Sequence, residues 1–178
     1  MRLRLINRGH RTINLRIVGI AEWILGANRA DRGTTITSAA SQRAAPDEGN
    51  GGTAVEPAGE ERRMTTLFCS QRDRAGGFGG GTAFFGLAGD TEDLTDWTCD
   101  RRESFDARGR LVIPDQYGQA SGGGLDPCAA IATRITLRAG DTIERSFLLG
   151  WAASPEGAQA LAASTALVAP LQRRQAVR

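Results

Sequence analysis

Two runs of alternating apolar and polar residues near the end of the chain, at residues 131–137 and 143–149, dominate its pattern. In the second run only Arg145 breaks the alternation. Successive strand residues point to opposite faces of a sheet, so each run predicts a half-buried β-strand. Ala139, Gly140 and Asp141 supply turn residues between the runs, and the pair therefore predicts a β-hairpin.

The amino-terminal part of the chain repeats this pattern. Residues 3–5 and 13–17 alternate, and the polar residues 7–10 between them predict a second hairpin connection. Residues 38–63 are rich in alanine, glycine, glutamate and proline and predict a long flexible loop. Further short segments favour strands: residues 34–37, 64–70, 82–87 and 111–113.

A helix is expected near the carboxyl terminus. Ser154 is a suitable N-cap, Pro155 fits the first turn, and Glu156 lies near the positive end of the helix dipole. Residues 158–168 favour a helix, and Pro170 is expected to end it. The fold class predicted is all-β, an antiparallel β-sandwich with one C-terminal helix. Residues 1–170 would form this domain, with the flexible loop at 38–63, and residues 171–178 a basic tail.

Charge and composition exclude several functions. The formal net charge is only +2, which argues against a dedicated nucleic-acid binder. Every basic side chain besides the single histidine is arginine, so a P-loop lysine, a Schiff base and a lysine general base are excluded. The glycines at 76–81 lack the last glycine of a dinucleotide fingerprint, because Thr82 stands there. No apolar run approaches the ~20 residues of a membrane span, and we expect no membrane segment and no cofactor.

The single histidine and the three cysteines suggest no metal chemistry. His10 falls in a predicted turn and is expected to be solvated. Cys69, Cys99 and Cys128 are widely spaced and form no CxxC pair, so they predict free buried thiols in a reducing compartment. We therefore expect a cytoplasmic protein. The chain begins inside a strand pattern, which indicates either a fragment of a larger domain or a gene whose assigned start lies too late.

Residues 90–110 are the most charged part of the chain. Two nearby carboxylates can perform glycoside hydrolysis, but arginines of this segment can equally bind them as structural partners. Trp97 lies close to Asp100 and Arg101, and a flat aromatic beside a carboxylate and a guanidinium suits a sugar ring. Inward packing of Trp97 is the alternative. An EF-hand is excluded because the central glycine and terminal glutamate are missing.

Five segments together resemble one family. They are AEWILG at 21–26, AFFGLAG at 83–89, DWTCDR at 96–101, GLDPCAA at 124–130 and FLLG at 147–150. In this order they resemble the amino-terminal β-sandwich domain of family 94 glycoside phosphorylases, formerly glycosyltransferase family 36. The phosphorylase-like region of cyclic β-1,2-glucan synthases is nearest, and cellobiose and chitobiose phosphorylases are further away. The resemblance implies part of a galactose-mutarotase-like supersandwich.

The chain departs from this family after its Asp-Arg pair. Phe105 follows Asp100 by five residues rather than four, and Asp106-Ala107-Arg108 replaces Leu-Gly-Arg. The family's catalytic acid and phosphate site lie in an (α/α)-barrel that follows the sandwich. The resemblance therefore implies a non-catalytic part of an enzyme.

The leading hypothesis is a carbohydrate-binding or structural module of a phosphorylase-like or glucan-synthase-like protein acting on β-linked glucans. Its candidate substrate or interface residues are Trp97, Asp100, Arg101 and Arg108. Expected partners are a β-glucan or oligosaccharide, the barrel of the parent protein, and a second copy in a homodimer. One alternative is a standalone carbohydrate-binding or interaction module. Another is a small mutarotase-like enzyme, which would have to use carboxylates as general acid and base.

Overall fold

The computed structural model describes residues 1–26, 29–43, 63–72, 80–88 and 95–175. These residues form mainly antiparallel β-sheet with a single α-helix at the carboxyl end, which confirms the predicted fold class. The strands are β1 (Arg2–Ile6), β2 (Ile13–Glu22), β3 (Thr35–Arg43), β4 (Arg63–Gln71), β5 (Thr82–Ala88), β6 (Thr95–Asp100), β7 (Gly122–Gly123), β8 (Pro127–Leu137) and β9 (Thr142–Ala152). The helix α1 spans Pro155–Gln175, and 3-10 helices span Arg29–Thr34 and Arg101–Glu103.

Two sheets pack face to face. One has the strand order β1-β9-β5-β4-β3-β7 and the other the order β2-β8-β6, with antiparallel pairing between neighbours. Their inward faces form the main core, in which Phe85 stacks on Phe147 with ring centroids 5.6 Å apart. Gly19 faces Phe147 across the sandwich, and a Cβ atom there would overlap the ring. The absence of a side chain at Gly19 thus lets β2 approach β9 closely.

The helix α1 covers the outer face of the larger sheet. Ala158 and Ala162 are fully buried against Phe68 and Phe84, because small side chains let a helix lie close to the sheet. The helix begins at Pro155 as predicted, with the Gly157 N–H donating to Ser154 Oγ at 3.0 Å.

The prediction that Pro170 ends α1 is wrong, since the helix continues to Gln175. Proline removes one N–H donor and disfavours a helix interior, but the hydrogen bonds on either side do not depend on that donor. The division into a domain at 1–170 and a tail at 171–178 stays a prediction. Within the part of the chain that the structure describes, no helix is long and apolar enough to cross a membrane.

A long loop between β6 and β7, residues 101–121, covers the outer face of the smaller sheet and is called the covering loop. Tyr117 is 1% exposed and packs on Cys128, Ala130 and Ala132 of β8. These small side chains leave room for the phenol ring. The first half of β8 is consequently buried on both faces, whereas its second half alternates between buried and exposed residues, as the sequence predicted.

Both predicted hairpins are wrong. Strands β8 and β9 follow each other but lie in different sheets, and so do β1 and β2. Instead β1 pairs with β9, and β2 pairs with β8. Each predicted turn is therefore a crossing between the sheets. Alternation fixes the face of each residue but does not identify the partner strand.

Asn7 joins the two crossings. Its backbone N–H donates to Asp141 O at 2.9 Å, and Gly140 N–H donates to Asn7 O at 3.0 Å. Its side-chain amide donates to Arg11 O at 2.8 Å and to Leu137 O at 3.0 Å. Asn7 is 3% exposed. Because it satisfies donors and acceptors of both connections, it holds the two sheets together at this end.

The remaining differences concern single segments. The predicted loop at 38–63 is wrong at its start, because β3 continues to Arg43 in register with β4. Residues 44–62 lie outside the described residues, as do glycines 76, 77 and 79 and the acidic residues 90, 92 and 93. The predicted strand at 111–113 is reduced to one bridge between Leu111 and Phe105. Arg145 keeps the strand alternation, since it is 3% exposed on the same face as Phe147.

Candidate functional site

Strand β6 sends alternate side chains to two environments. Trp97 and Cys99 face the core between the sheets, and Trp97 is partly buried there. Asp96 and Thr98 face the opposite side, beneath the loop that covers the smaller sheet. A register shift between Thr98 and Asp100 then ends the regular pairing with β8. The sugar-stacking candidate Trp97 thus lies on the inward face.

Asp96 is the centre of a buried polar network. Arg16 Nη2 donates to Asp96 Oδ1 at 2.6 Å, and the Tyr117 N–H donates to the same oxygen at 2.9 Å. Arg16 Nη1 also donates to Pro114 O at 2.7 Å, and its guanidinium lies 5.0 Å from the centre of the Tyr117 ring. One carboxylate and one arginine thereby fasten the covering loop to β2 and β6.

Glu103 forms a second attachment of the same loop. Thr98 Oγ1 donates to Glu103 Oε1 at 2.6 Å, and the Gly118 N–H donates to Oε2 at 2.7 Å. Ser104 Oγ donates to the Tyr117 hydroxyl at 3.1 Å. Burial raises the pKa of Tyr117, although the Ser104 hydrogen bond and the charge of Arg16 act in the opposite direction. Both oxygens of Glu103 serve as structural acceptors.

Asp100 and Arg101 are neighbours with different partners. Arg102 Nε and Nη2 donate to Asp100 Oδ1 at 2.9 Å and to Oδ2 at 2.6 Å, and the Arg102 N–H donates to Oδ1 at 3.0 Å. Burial alone would raise the pKa of Asp100, but the hydrogen bonds and charge of Arg102 outweigh it and hold this pKa below its usual value. Asp100 is the N-cap of the 3-10 helix Arg101–Glu103, because its side chain accepts the hydrogen bond from the Arg102 backbone N–H.

Arg101 forms an exposed edge of the sandwich. Its Nε donates to Glu22 Oε2 at 2.7 Å, and its guanidinium lies 3.8 Å from the centre of the Phe105 ring. The Arg101 and Glu22 side chains are 20% and 37% exposed. This edge therefore presents a guanidinium and a carboxylate to solvent, held in place by an aromatic ring.

Arg108 lies at the exposed end of the covering loop. Its backbone N–H donates to Asp106 Oδ1 at 2.9 Å, and Asp106 also binds Arg110. Asp100 and Arg101 are thus chain neighbours held by different partners, Arg108 is exposed, and Trp97 lies on the inward face of β6. Contact of any of these four residues with sugar stays a prediction.

The structure adds a feature that sequence reasoning missed, an apolar tip formed by Leu111, Val112 and Ile113. These side chains are 57%, 53% and 42% exposed. Three consecutive apolar residues directly before Pro114 favour a strand in the sequence. The run does not alternate between apolar and polar residues, and this missing alternation is the signal that it is not a half-buried strand.

The three cysteines are free and fully buried, as predicted. Burial raises the pKa of Cys69 to about 12 and that of Cys99 to about 11, with Thr37 partly opposing the shift at Cys99. Burial raises the pKa of Cys128 as well. A thiolate is the reactive form, so these thiols are inert at neutral pH.

The fold agrees with that of a known domain. The family described as "Glycosyl hydrolase 94, supersandwich domain" matches residues 1–166. The chain belongs to this family. The resemblance deduced from the five sequence segments is thereby confirmed.

A known protein is similar to the chain over most of this chain's length. The chain is similar to the cyclic beta-(1,2)-glucan synthase NdvB of Rhizobium meliloti (strain 1021), with 28% identity over 169 residues. The match covers 90% of this chain and 5% of that protein. The chain thus spans a small part of the relative's length.

Proposed function

We propose that this supersandwich domain is a non-catalytic module of a family 94 phosphorylase-like or glucan-synthase-like protein that acts on β-linked glucans. In this role it seats the parent's (α/α)-barrel through the covering loop. The apolar tip carries the proposal. Three consecutive exposed apolar side chains are typical of a surface that meets another protein domain.

The attachment of the covering loop supports this role. The Arg16–Asp96 pair and the two hydrogen bonds to Glu103 fix the loop on the smaller sheet. A docking surface that is already ordered loses little conformational entropy on binding. The tip is therefore suited to contact a rigid partner.

The same contacts argue against catalysis by this segment. A general acid and base need carboxyl groups that can exchange a proton with substrate. Asp96, Asp100, Glu103 and Asp106 instead accept hydrogen bonds from arginine, hydroxyl or backbone donors of the fold. We therefore assign them structural roles.

Sugar binding by this module belongs at the Arg101 edge. Arg101 and Glu22 are partly exposed and can exchange hydrogen bonds with hydroxyl groups. Trp97 packs against the core and offers less of its ring. We propose that this domain lies in the cytoplasm, because buried thiols without disulfide bonds are typical of reducing compartments.

Two measurements test this function. The purified chain should release no glucose 1-phosphate from cellobiose or a β-1,2-glucan in phosphate buffer above a protein-free control. It should bind a recombinant (α/α)-barrel of a cyclic β-1,2-glucan synthase in a titration. Serine substitutions at all three residues of the apolar tip should weaken that binding at least about tenfold, since buried apolar contacts carry such interfaces.

A matched control separates docking from a general surface effect. Leu161→Ser changes a side chain that is 43% exposed on α1, on the other side of the molecule, and should leave barrel binding unchanged. The thermal unfolding midpoints of both variants should stay close to that of the unmodified chain. Phosphorolysis by the isolated chain, or equal barrel binding by the triple variant, would overturn the proposed function.

A further inference from the structure

Strand β9 is longer than its partner β1. The amino group of Met1 donates to Phe147 O at 2.7 Å, and Phe147 N–H donates to Met1 O at 2.8 Å. Residues 142–146 of β9 pair with β1, but β9 continues to Ala152. On the side away from β5, its last residues have no strand beside them among the described residues.

The direction of the free backbone groups follows from the pleat. Along a strand, the N–H and C=O groups of alternate residues point to the same side. Phe147 directs both groups towards β1, so Leu149 and Trp151 direct theirs to the same side, beyond Met1. Two donors and two acceptors are consequently presented in line with β1.

The side chains beside this edge are also unusual. Leu149 is 66% exposed and Trp151 is 58% exposed, the highest values among large apolar side chains of the described residues after Met1. Both lie on the same strand face as Phe147. The indole of Trp151 lies against the backbone of Gly81, where a Cβ would come 2.5 Å from Trp151 Nε1. One side of the indole ring therefore packs on Gly81, while the rest of the ring is exposed to solvent.

We propose that residues 148–152 of β9 form an acceptor edge for a further β-strand, supplied by polypeptide of the parent protein that enters in line with β1. The incoming strand would run antiparallel to β9 and form four backbone hydrogen bonds with Leu149 and Trp151. Apolar side chains of its alternate residues would pack against the side chains of Leu149 and Trp151. Addition of an extended segment to an open sheet edge is a recurring mode of recognition.

A second copy of this chain fits the edge less well. Pairing of two β9 edges about a two-fold axis has room for only residues 148–152, because Met1 of each copy already occupies the place beside Phe147. So short an overlap falls well below the ~1,000 Å² that a stable specific interface needs. The match to the glucan synthase covers 5% of that protein, so a parent of this kind has ample polypeptide to supply the strand.

The test extends β1 at its amino terminus, so that the added residues lie beside residues 148–151 of β9. The probe is the full chain carrying Val-Thr-Val-Thr directly before Met1, which places valine opposite Leu149 and opposite Trp151. One control carries Gly-Ser-Gly-Ser, and a second carries Val-Thr-Pro-Thr, whose proline has no N–H for Leu149 O. The readout is amide hydrogen exchange of Leu149 and Trp151, followed by NMR. Arg145 is the internal reference because β1 already pairs with it.

The Val-Thr-Val-Thr extension should slow exchange at both amides at least about tenfold, since paired edge amides open only with local unfolding. The proline extension should give less protection, and the Gly-Ser extension none. Equal exchange in all three proteins would overturn the proposal. So would protection of both amides in the unextended chain that rises with protein concentration together with a dimer in sedimentation, because a second copy would then be the occupant.

Discussion

Replacing Asp96 with alanine should release the loop that covers the smaller sheet. The substitution leaves Arg16 without its carboxylate partner. Both side chains are largely buried, since Arg16 is 17% and Asp96 10% exposed. Removing one member of a buried pair costs about 3–5 kcal/mol, because the other charge stays desolvated. The Tyr117 N–H also loses its acceptor. Since both side chains keep some contact with water, we expect about 3 kcal/mol of lost stability, the lower end of that range.

Two further variants divide this cost. Asp96→Asn keeps an oxygen for the Tyr117 N–H but removes the charge, and should cost less than alanine. Arg32→Ala serves as the exposed control, because Arg32 is 51% exposed and lies 3.5 Å from its carboxylate partner on Asp126. Exposed pairs contribute about 0–1 kcal/mol. Urea unfolding midpoints at pH 7 would give all three values.

A second measurement reports on the loop itself. Tyr117 is the only tyrosine in the chain, so absorbance of the ionised phenol titrates this residue alone. Burial raises the pKa of Tyr117 in the unmodified chain, and that pKa should fall towards its ordinary value when the loop opens in Asp96→Ala. If Asp96→Ala costs no more than Arg32→Ala and leaves the phenol titration unchanged, the network does not hold the loop.

Three other predictions concern the sandwich. Asn7→Ala removes the side-chain bonds between the two crossings and should cost about 2–3 kcal/mol, as expected for buried groups left unsatisfied; exposed Asn14→Ala is the control, and equal unfolding midpoints would contradict this role. Gly19→Ala should cost about 1–3 kcal/mol by forcing Phe147 aside, whereas a calorimetric midpoint equal to the parent's would show that the ring adapts freely. The three cysteines should resist iodoacetamide in native protein at pH 8 and react fully in urea, and rapid labelling without denaturant would disprove their burial.

The sequence was sufficient to predict most strand positions and a family, but not strand β6 or the strand partners. Residues 133–137 alternate as predicted because burial on one face constrains every second residue. Nothing in that alternation distinguishes a hairpin from a crossing between sheets. The deciding interactions are those of Asn7 with Asp141 and Leu137, which are distant in sequence. Such contacts leave no periodic pattern in a single chain.

The candidate site shows the same limit. Trp97, Asp100 and Arg101 are close in sequence, but Trp97 lies on a strand that turns its side chain inward, away from the other two. Arg16 is 80 positions from Asp96 and looked like any polar residue on the outer face of a strand. The apolar tip was visible in the sequence, but its exposure depends on how the covering loop is attached.

The crossings between the sheets also set the order in which the chain can fold during its synthesis. Strands β1 and β2 are synthesised well before their partners β9 and β8, which follow more than a hundred residues later in the sequence. At ~5–20 residues per second, both strands wait on the order of ten seconds with their edges unpaired. Strands β3, β4 and β5 can pair with one another in the meantime. We therefore expect the amino-terminal strands to be the last to join the sandwich, and the nascent chain to need protection from aggregation until then.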